Sequence, residues 1–535
     1  MIYGEHIFFN LLTNITTQTE SKRLNADWGE MSNKILAKNI GSMGIAVFIS
    51  RIFGLLRDII MTAVFGTSWV ADAFQVGFQI PNLLRKLFGE GALSSAFVPV
   101  YNEVGIKEGR EQQIKFAMNV ISLLSLLLLF LCLAGMLLAP LIVRLLAPGF
   151  DAERYALTVK LTRLMFPYLY LIGFSSTLIA ILNSHDKFFI PGLSSAFLNI
   201  GMVGAIGLFH LFNPQSSLEE KIISAGVGVV AGGILQTVIN IPLLLKLGYK
   251  FKPRLDLKDK SLAITGKLFL PGVIGMAIRQ INLAADLIIA SFLPAGSIAA
   301  LNYGNRLMQL PLGIIGVSAG VAVLPMFSRY STEKNWQKLE KSFRFSMVTI
   351  YSLMLPITAV IIALGDDIIR VIFMRGAFDQ HSLQLTHSAL IFYSLGLVFY
   401  SLNRQIIPLF YAQKNTKTPV RISAVIVALN IILNIILMQW LQHGGLALAT
   451  SISAYVQYRI LKHYLKKHYP HIKFPVLTNE ICKIIILSAA IYIVMVLLKS
   501  IILPVNFWVT AGRLIVMLML SLIMIFSGRK ILRIK

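Results

Sequence analysis

The chain of 535 residues carries 49 Lys and Arg against 24 Asp and Glu, which gives a net charge of +25, yet only 14% of its residues are charged. Hydrophobic residues make up 56% of the chain, and the mean hydropathy is +0.73. Because soluble domains carry about 25% charged residues, this composition excludes a soluble globular enzyme, and the apolar content excludes intrinsic disorder. The two cysteines, Cys132 and Cys482, are too few for a disulfide framework or a metal cluster.

Residues 1–30 differ in character from the rest of the chain. The apolar run from His6 to Leu12 is too short to cross a membrane and lacks the basic start and cleavage site of a signal peptide. We interpret this stretch as an N-terminal cytoplasmic extension, which is either disordered or upstream of the true start at Met31.

From residue 39 onward the chain consists of apolar segments long enough to cross about 30 Å of hydrocarbon. This pattern predicts an all-α polytopic membrane protein with about fourteen transmembrane helices. The predicted spans are 39–65, 70–100, 117–146, 156–182, 190–211, 222–245, 265–292, 297–327, 345–364, 385–411, 420–439, 444–461, 480–498 and 507–527.

The basic residues concentrate in every other connecting loop, with the densest runs at 246–267, 329–344 and 459–473 and in the tail. The positive-inside rule places these loops, and therefore both termini, in the cytoplasm. The basic excess is thus a topology signal, and since no basic patch is interleaved with aromatic residues, we do not expect nucleic-acid binding. The intervening loops hold only Arg154, Lys221, Arg370, Arg375 and Lys499.

Landmarks of the first half of the chain recur in the second half at a nearly constant offset, which predicts an internal duplication. The recurring pairs are Gly66 and Gly296, Pro81 and Pro311, and Pro99 and Pro325. Since each repeat holds six spans, the repeats are parallel, and two such lobes around a central cavity are typical of alternating-access transporters. The predicted domains are the extension (1–38), an N-lobe (39–245), a cytoplasmic linker (246–264), a C-lobe (265–461), a further helix pair (480–527) and a basic cytoplasmic tail (528–535).

The first span contains three charged residues near its middle, namely Arg51, Arg57 and Asp58. A charge at this depth costs about 2.5–3.5 kcal/mol on insertion scales, so these side chains must face a wet cavity or ion-pair partners. Arg51 and Asp58 lie two turns apart on one face, whereas Arg57 points elsewhere. A single local ion pair therefore cannot neutralise all three.

Further charges lie in other spans. The second span contains Asp72, Arg85 and Glu90, and the equivalent span of the second repeat contains Arg306. Other basic residues lie near span ends, where we expect them to snorkel to the membrane surface. These are Lys160, Lys483 and Arg513.

The surplus of charge within the spans is positive and consists mainly of arginine. Guanidinium groups stay protonated and bind phosphate in a bidentate manner, so an arginine-lined cavity suits an anion, above all a diphosphate. The alternative is that the same residues form buried ion pairs that only fix the packing of the helices.

The stretch from Ser50 to Asn102 contains Ser50-Arg51, Arg57-Asp58, Asp72-Ala73-Phe74, the run from Pro81 to Lys86, and Glu90-Gly91-Ala92. In these motifs it resembles the MurJ (MviN) family of lipid II flippases, within the multidrug/oligosaccharidyl-lipid/polysaccharide exporter superfamily. The resemblance extends over most of the chain from about Met31. It implies a flippase that moves lipid II, an undecaprenyl-diphosphate disaccharide-pentapeptide, from the cytoplasmic to the outer face of the bacterial inner membrane.

The resemblance also implies roles for particular residues. Arg51, Arg57, Arg85 and Arg306 match the family's substrate-binding arginines. Asp58, Asp72 and Glu90 match acidic residues that serve charge balance or gating. The last two spans match a pair that forms a hydrophobic groove for the lipid tail, and Asn305 departs from the acidic residue that relatives often carry beside the second-lobe arginine.

The resemblance further implies a cation site, because some relatives bind sodium in the second lobe. Asn430 and Asn434 share a helix face, and Asp286 could complete an oxygen cage. The alternative is that the two amides only hydrogen-bond to neighbouring residues. We expect no other cofactor than a coupling cation of this kind.

The expected mechanism is alternating access by a non-enzymatic, monomeric transporter, whose partners are lipid II, membrane lipids and, transiently, cell-wall synthesis enzymes. The sequence contains no GxxxxGK[ST] loop, which argues against ATP hydrolysis. One alternative is a flippase for another polyprenyl-diphosphate oligosaccharide. A cation-coupled drug antiporter would need an acidic cavity, and a membrane-embedded glycosyltransferase would need a larger extramembrane loop than this chain has.

Overall fold

The computed structural model describes residues 42–88, 92–501 and 506–532. The N-terminal extension, Glu90 and the last residues of the basic tail therefore lie outside the described residues. Every regular element in the described ranges is helical, which confirms the predicted all-α fold class.

The first half of the chain forms helices α1 to α10. They are α1 (residues 42–65), α2 (Trp69–Phe88), α3 (Ala92–Lys107), α4 (Arg110–Leu137), α5 (Ala139–Leu146), α6 (Ala152–Met165), α7 (Pro167–Ser184), α8 (Phe189–Phe212), α9 (Leu218–Val238) and α10 (Ile241–Lys246).

The second half forms α11 to α18, and a pair of helices follows it. They are α11 (Lys260–Ala290), α12 (Ser297–Pro311), a π-helical segment (Leu312–Val317), α13 (Ser318–Thr332), α14 (Trp336–Phe373), α15 (Gln380–Leu395), α16 (Leu397–Ala412), α17 (Lys417–Leu441), α18 (His443–His468), α19 (Thr478–Ile501) and α20 (Phe507–Ile531). We refer to α19 and α20 together as the C-terminal hairpin.

Among the described residues, nine helical stretches are long and apolar enough to cross a membrane, or ten if the bent pair α15 and α16 forms one span. The chain is therefore a multi-pass integral membrane protein, while the count of fourteen spans stays a prediction. Helix α1 falls outside the set because every window of 18 residues in it contains Arg51, Arg57 and Asp58. The residues that mark the candidate site are thus the ones whose charges exclude α1 from this set.

Three of the predicted spans that the structure divides are divided next to a proline. The breaks separate α4 from α5, α6 from α7, and α9 from α10. In each pair the second helix begins with a proline in its first turn, namely Pro140, Pro167 and Pro242. Proline lacks the N–H that would continue the preceding helix but suits the start of a new one, so the regular helix is interrupted at this point.

The same helix pairings recur in the two halves of the chain. Helix α2 packs against α6, α7 against α9, and α8 against α9 in the first half. In the second half α12 packs against α15, α16 against α18, and α17 against α18. This recurrence is what a duplicated six-span lobe would produce, and the lobe boundaries at 39–245 and 265–461 stay a prediction.

Candidate functional site

A cluster of three charged side chains lies where α1 meets α12. Asp58 Oδ1 accepts hydrogen bonds from Arg57 Nη2 at 2.7 Å and from Arg57 Nε at 3.1 Å. Asp58 Oδ2 lies 2.9 Å from Nε of Arg306, which comes from the other half of the chain. One buried carboxylate therefore forms ion pairs with an arginine of each half.

Arg51 lies two turns before Asp58 and faces the same neighbouring segment. Its guanidinium comes within 3.4 Å of the place where a β-carbon on Gly313 would lie. Because Asp58 meets Arg306 and Arg51 meets Gly313, seven residues further along, α1 runs antiparallel to α12 and its π-helical continuation. This contact places the arginine beside the backbone of the second half.

The electrostatic balance of this cluster is positive. Asp58 offsets one of the charges of Arg57, Arg306 and Arg51, which leaves two positive charges at the junction of the halves. Among the residues that the structure describes, Arg51 has neither a hydrogen-bonding nor an ion-pairing partner, and its side chain is exposed. The exposed fraction of Arg306 is 51%, so this arginine can also reach a ligand.

Asp72 is also placed between the halves, but it has a different set of partners. Its carboxylate is almost fully buried and accepts backbone N–H groups from Gly296 at 2.6 Å and from Ala299 at 2.8 Å. It thus caps the N-terminus of α12 from the opposite half of the chain, where the helix dipole favours a negative charge.

Further contacts close the two halves together at this same end. Ala377 N donates to Ala63 O at 2.7 Å, and the Thr67 hydroxyl donates to Ser382 Oγ at 2.9 Å. Gly149 N donates to the hydroxyl of Ser291 at 3.0 Å. These residues lie in or beside the loops that the charge pattern assigns to the non-cytoplasmic side, so the halves are in contact there.

Arg85 and Glu90 complete the set of predicted site residues in the second span. Arg85 is half-buried on α2, where its Nε donates to Asn82 Oδ1 at 2.7 Å. Glu90 lies outside the described residues. The structure therefore brings Arg51, Arg57, Asp58 and Arg306 to one junction, and it places Asp72 at the closed end.

The residues of the predicted cation site meet in the second half of the chain. Asp286 accepts a hydrogen bond from Asn434 Nδ2 at 2.7 Å and one from Asn282 Nδ2 at 3.1 Å. In the amide orientation that satisfies its neighbours, Asn430 Nδ2 lies 3.2 Å from the same carboxylate. Asn434 Oδ1 is buried and has no hydrogen-bonding partner among the described residues, so it can supply an oxygen to a small cation beside Asp286.

The family model described as "Lipid II flippase MurJ" matches residues 61–532 of this chain. The chain belongs to the MurJ family. A probable lipid II flippase MurJ of Rhizobium tropici is 36% identical to it over 427 residues, which cover 79% of each chain. A relative of the same description from Buchnera aphidicola subsp. Baizongia pistaciae is 31% identical over 80% of this chain and 82% of its own.

Solved structures agree with this membership in the MurJ family. A lipid II flippase MurJ in an inward closed conformation matches with a TM-score of 0.76 and 31% identity, over 92% of this chain and 99% of its own. A multidrug resistance transporter of the MOP superfamily in an inward-facing conformation matches with a TM-score of 0.62 at 15% identity, over 81% of this chain and 99% of its own. The second likeness concerns the fold alone.

A polar cluster that was not predicted from the sequence lies at the predicted cytoplasmic end of this MurJ family member. His185 Nε2 lies 2.8 Å from the hydroxyl of Tyr101 and 2.8 Å from Nη1 of Arg110. Arg110 also donates to the hydroxyl of Tyr249 at 3.2 Å. These residues come from two helices and two loops, and no short motif links them, which is why sequence reasoning missed them.

We expect acid to weaken this cluster. Because Arg110 can only donate, His185 Nε2 must keep its lone pair, and burial together with Arg110 lowers the pKa of His185 below its usual 6.5. The unfolded state then takes up the proton first, so the stabilisation is complete above pH 6.5 and is lost as the pH falls below it. Melting temperatures between pH 8 and pH 5 should fall more steeply in the native protein than in His185→Gln, and equal slopes would contradict the expectation.

Proposed function

We propose that this protein flips lipid II from the cytoplasmic to the outer face of the bacterial inner membrane. The observation that carries the proposal is the combination of MurJ family membership with an arginine cluster at the junction of the two halves. Relatives that cover four fifths of the chain carry the name of this activity. The residues that match the family's binding arginines supply the chemistry that a diphosphate requires.

The charge of the cluster fits a diphosphate in number and in type. Arg51, Arg57 and Arg306 less Asp58 leave two positive charges, and a diphosphate diester carries two negative charges. Phosphate oxygens can replace the Asp58 carboxylate as partners of the guanidinium groups. A phosphate, like a carboxylate, presents two oxygens that accept hydrogen bonds from the paired N–H donors of an arginine. A cavity with this surplus would repel a cationic drug, which argues against the antiporter alternative.

We infer alternating access between the two six-span lobes, with both termini in the cytoplasm. The halves touch at Ala63 and Ala377 and at Asp72 and Gly296, on the predicted non-cytoplasmic side. This arrangement corresponds to an inward state, in keeping with the inward closed relative. The lipid must bind the next state more tightly for the halves to rock, and the membrane potential can add about 2.3 kcal/mol per charge per 100 mV.

In this proposal the lipid keeps its bonds and changes only its position, so the protein acts as a transporter and not as an enzyme. We propose that it acts as a monomer. Asp58 and Asp72 balance charge and set the gate, and Arg85 joins the binding arginines. The polyprenyl tail stays in an apolar cleft beside α19. Transient contact with cell-wall synthesis enzymes would deliver and remove the lipid.

The function is tested by replacing the flippase of a host strain with this protein. Growth should be restored, and lipid II should become accessible to a reagent that reaches only the outer face of the membrane. If growth fails, or if lipid II stays on the cytoplasmic face while another polyprenyl-diphosphate oligosaccharide crosses, the proposal is overturned in favour of that substrate.

Sodium coupling at Asp286 gives a separate prediction. A cation that binds only the folded protein stabilises it by about 2.7 kcal/mol at a hundredfold excess over its dissociation constant. The melting temperature should therefore be higher in sodium chloride than in choline chloride, and Asp286→Asn should remove the difference. Asp151→Asn, at an exposed helix cap, is the control and should keep it. If the native protein shows no sodium effect, coupling at this site is wrong.

A further inference from the structure

The C-terminal hairpin packs mainly on one helix of the second half, α14. Its buried seam is apolar and includes Leu364 of α14, Ile491 and Met495 of α19, and Met517 of α20. In a bilayer such a seam contributes little to helix association, because lipid tails are as apolar as leucine and the hydrophobic effect does not favour the protein contact over contact with lipid. Polar contacts must then decide whether the hairpin stays on α14.

Two ion pairs join the hairpin to α14 at the predicted non-cytoplasmic end. Arg513 of α20 contacts Asp367 of α14 at 2.5 Å, and the exposed fractions of their side chains are only 1% and 2%. Lys499 of α19 pairs with Asp366, and its ammonium also lies 3.3 Å from Ala363 O. The expectation that Arg513 snorkels to the surface is wrong, because an acidic partner on the adjacent helix holds it inside the protein.

A third ion pair joins the same elements at the other end. Arg344 of α14 pairs with Glu480 of α19. Residues 344 and 367 are separated by about 35 Å along a helix with a rise of 1.5 Å per residue. This span is close to the roughly 30 Å of hydrocarbon in a bilayer, so the pairs lie near its two edges.

Between these edges α14 and α19 line a shallow, open apolar cleft of about 360 Å³. Its walls include Leu355 and Ile362 of α14 and Ile485 and Tyr492 of α19. The cleft thus lies between the two ends at which ion pairs join α14 to the C-terminal hairpin. Its width depends on the distance that these ion pairs set between the helices.

We propose that Asp366, Asp367, Lys499 and Arg513 are positioning residues that make α14 and the C-terminal hairpin one rigid unit, so that the cleft moves with the second half of the chain. Separation would leave Arg513 and Asp367 without each other as partners near the edge of the hydrocarbon, where an unpaired charge is unfavourable. Only the occupant of the cleft, the lipid tail, rests on the proposed function. The rigid unit itself does not depend on any substrate.

The test is a spin-label distance between α14 and α20 in nanodiscs without lipid II. Phe345 and Ile515 are exposed and can be replaced by labelled cysteines in a Cys482→Ser background. The native protein should give one narrow distance distribution. Asp366→Asn combined with Asp367→Asn should broaden this distribution. The exchanged pair Asp367→Arg with Arg513→Asp, made in the native chain, should give a narrow distribution because the ion pair is kept with its charges reversed.

Glu333→Gln is the matched control, because it breaks the exposed pair with Arg329 away from the hairpin. It should leave the distribution unchanged. A narrow distribution in the double asparagine variant, or one that stays broad in the exchanged pair, would overturn the proposal. If the double variant is not recovered as folded protein, the exchanged pair alone decides. Since no lipid II is present, failure here is distinct from failure of the flippase function.

Discussion

Arg51→Ala should abolish growth in a host strain that depends on this protein for lipid II transport. Arg51 is exposed at the junction of the halves and has no ion-pairing partner among the described residues, so its guanidinium is available to a ligand. A hydrogen bond between charged groups contributes about 1.5–3 kcal/mol, which corresponds to roughly a tenfold to hundredfold loss of affinity. The measurement is colony formation after depletion of the host flippase, with membrane levels of the variant compared by immunoblot.

Two variants sharpen this result. Lys160→Ala removes an exposed positive charge from α6 and should leave growth intact. Arg51→Lys keeps the charge but loses the planar pair of donors, so we expect partial growth. Normal growth of Arg51→Ala at native membrane levels would contradict a binding role and favour the alternative in which the arginines only pack helices.

The sequence predicted the charged character of α1 because a charge within an apolar span is costly and therefore informative. It did not predict that Asp58 would pair with Arg306, since that contact joins residues about 250 positions apart and no local spacing encodes it. The departure at Asn305 left Arg306 without a local acid in the sequence. The structure supplies the acid from the other half of the chain.

The same limit explains the other differences between prediction and structure. Prolines at 140, 167 and 242 are visible in the sequence, but hydropathy averages over them, so each broken span was predicted as one. Arg513 lies near the end of a span, where snorkelling is the usual outcome, and only tertiary structure reveals Asp367 beside it. That a segment forms a helix follows from its local sequence pattern, whereas the ion-pair partner of a charged residue depends on tertiary packing.

Gly296→Ala should drive the two halves apart at their closed end. Gly296 has φ +88°, and a β-carbon there would lie only 2.1 Å from the carbonyl oxygen of Thr67 in the other half. Since the neighbouring atom is backbone, it can yield only if the halves separate. The same residue donates its N–H to Asp72, so the cap of α12 should be lost as well.

Gly109→Ala separates this clash from ordinary backbone strain. Gly109 has φ +86°, so alanine there costs about the same 1–2 kcal/mol of left-handed strain, but no atom lies within 4 Å of its would-be β-carbon. A Ser382→Cys reporter in a Cys482→Ser background should react with a maleimide at least about tenfold faster in Gly296→Ala than in Gly109→Ala, which corresponds to a shift of about 1.4 kcal/mol. Equal rates would mean that the closed end tolerates the added methyl group, and the contact between Gly296 and Thr67 would then not hold the halves together.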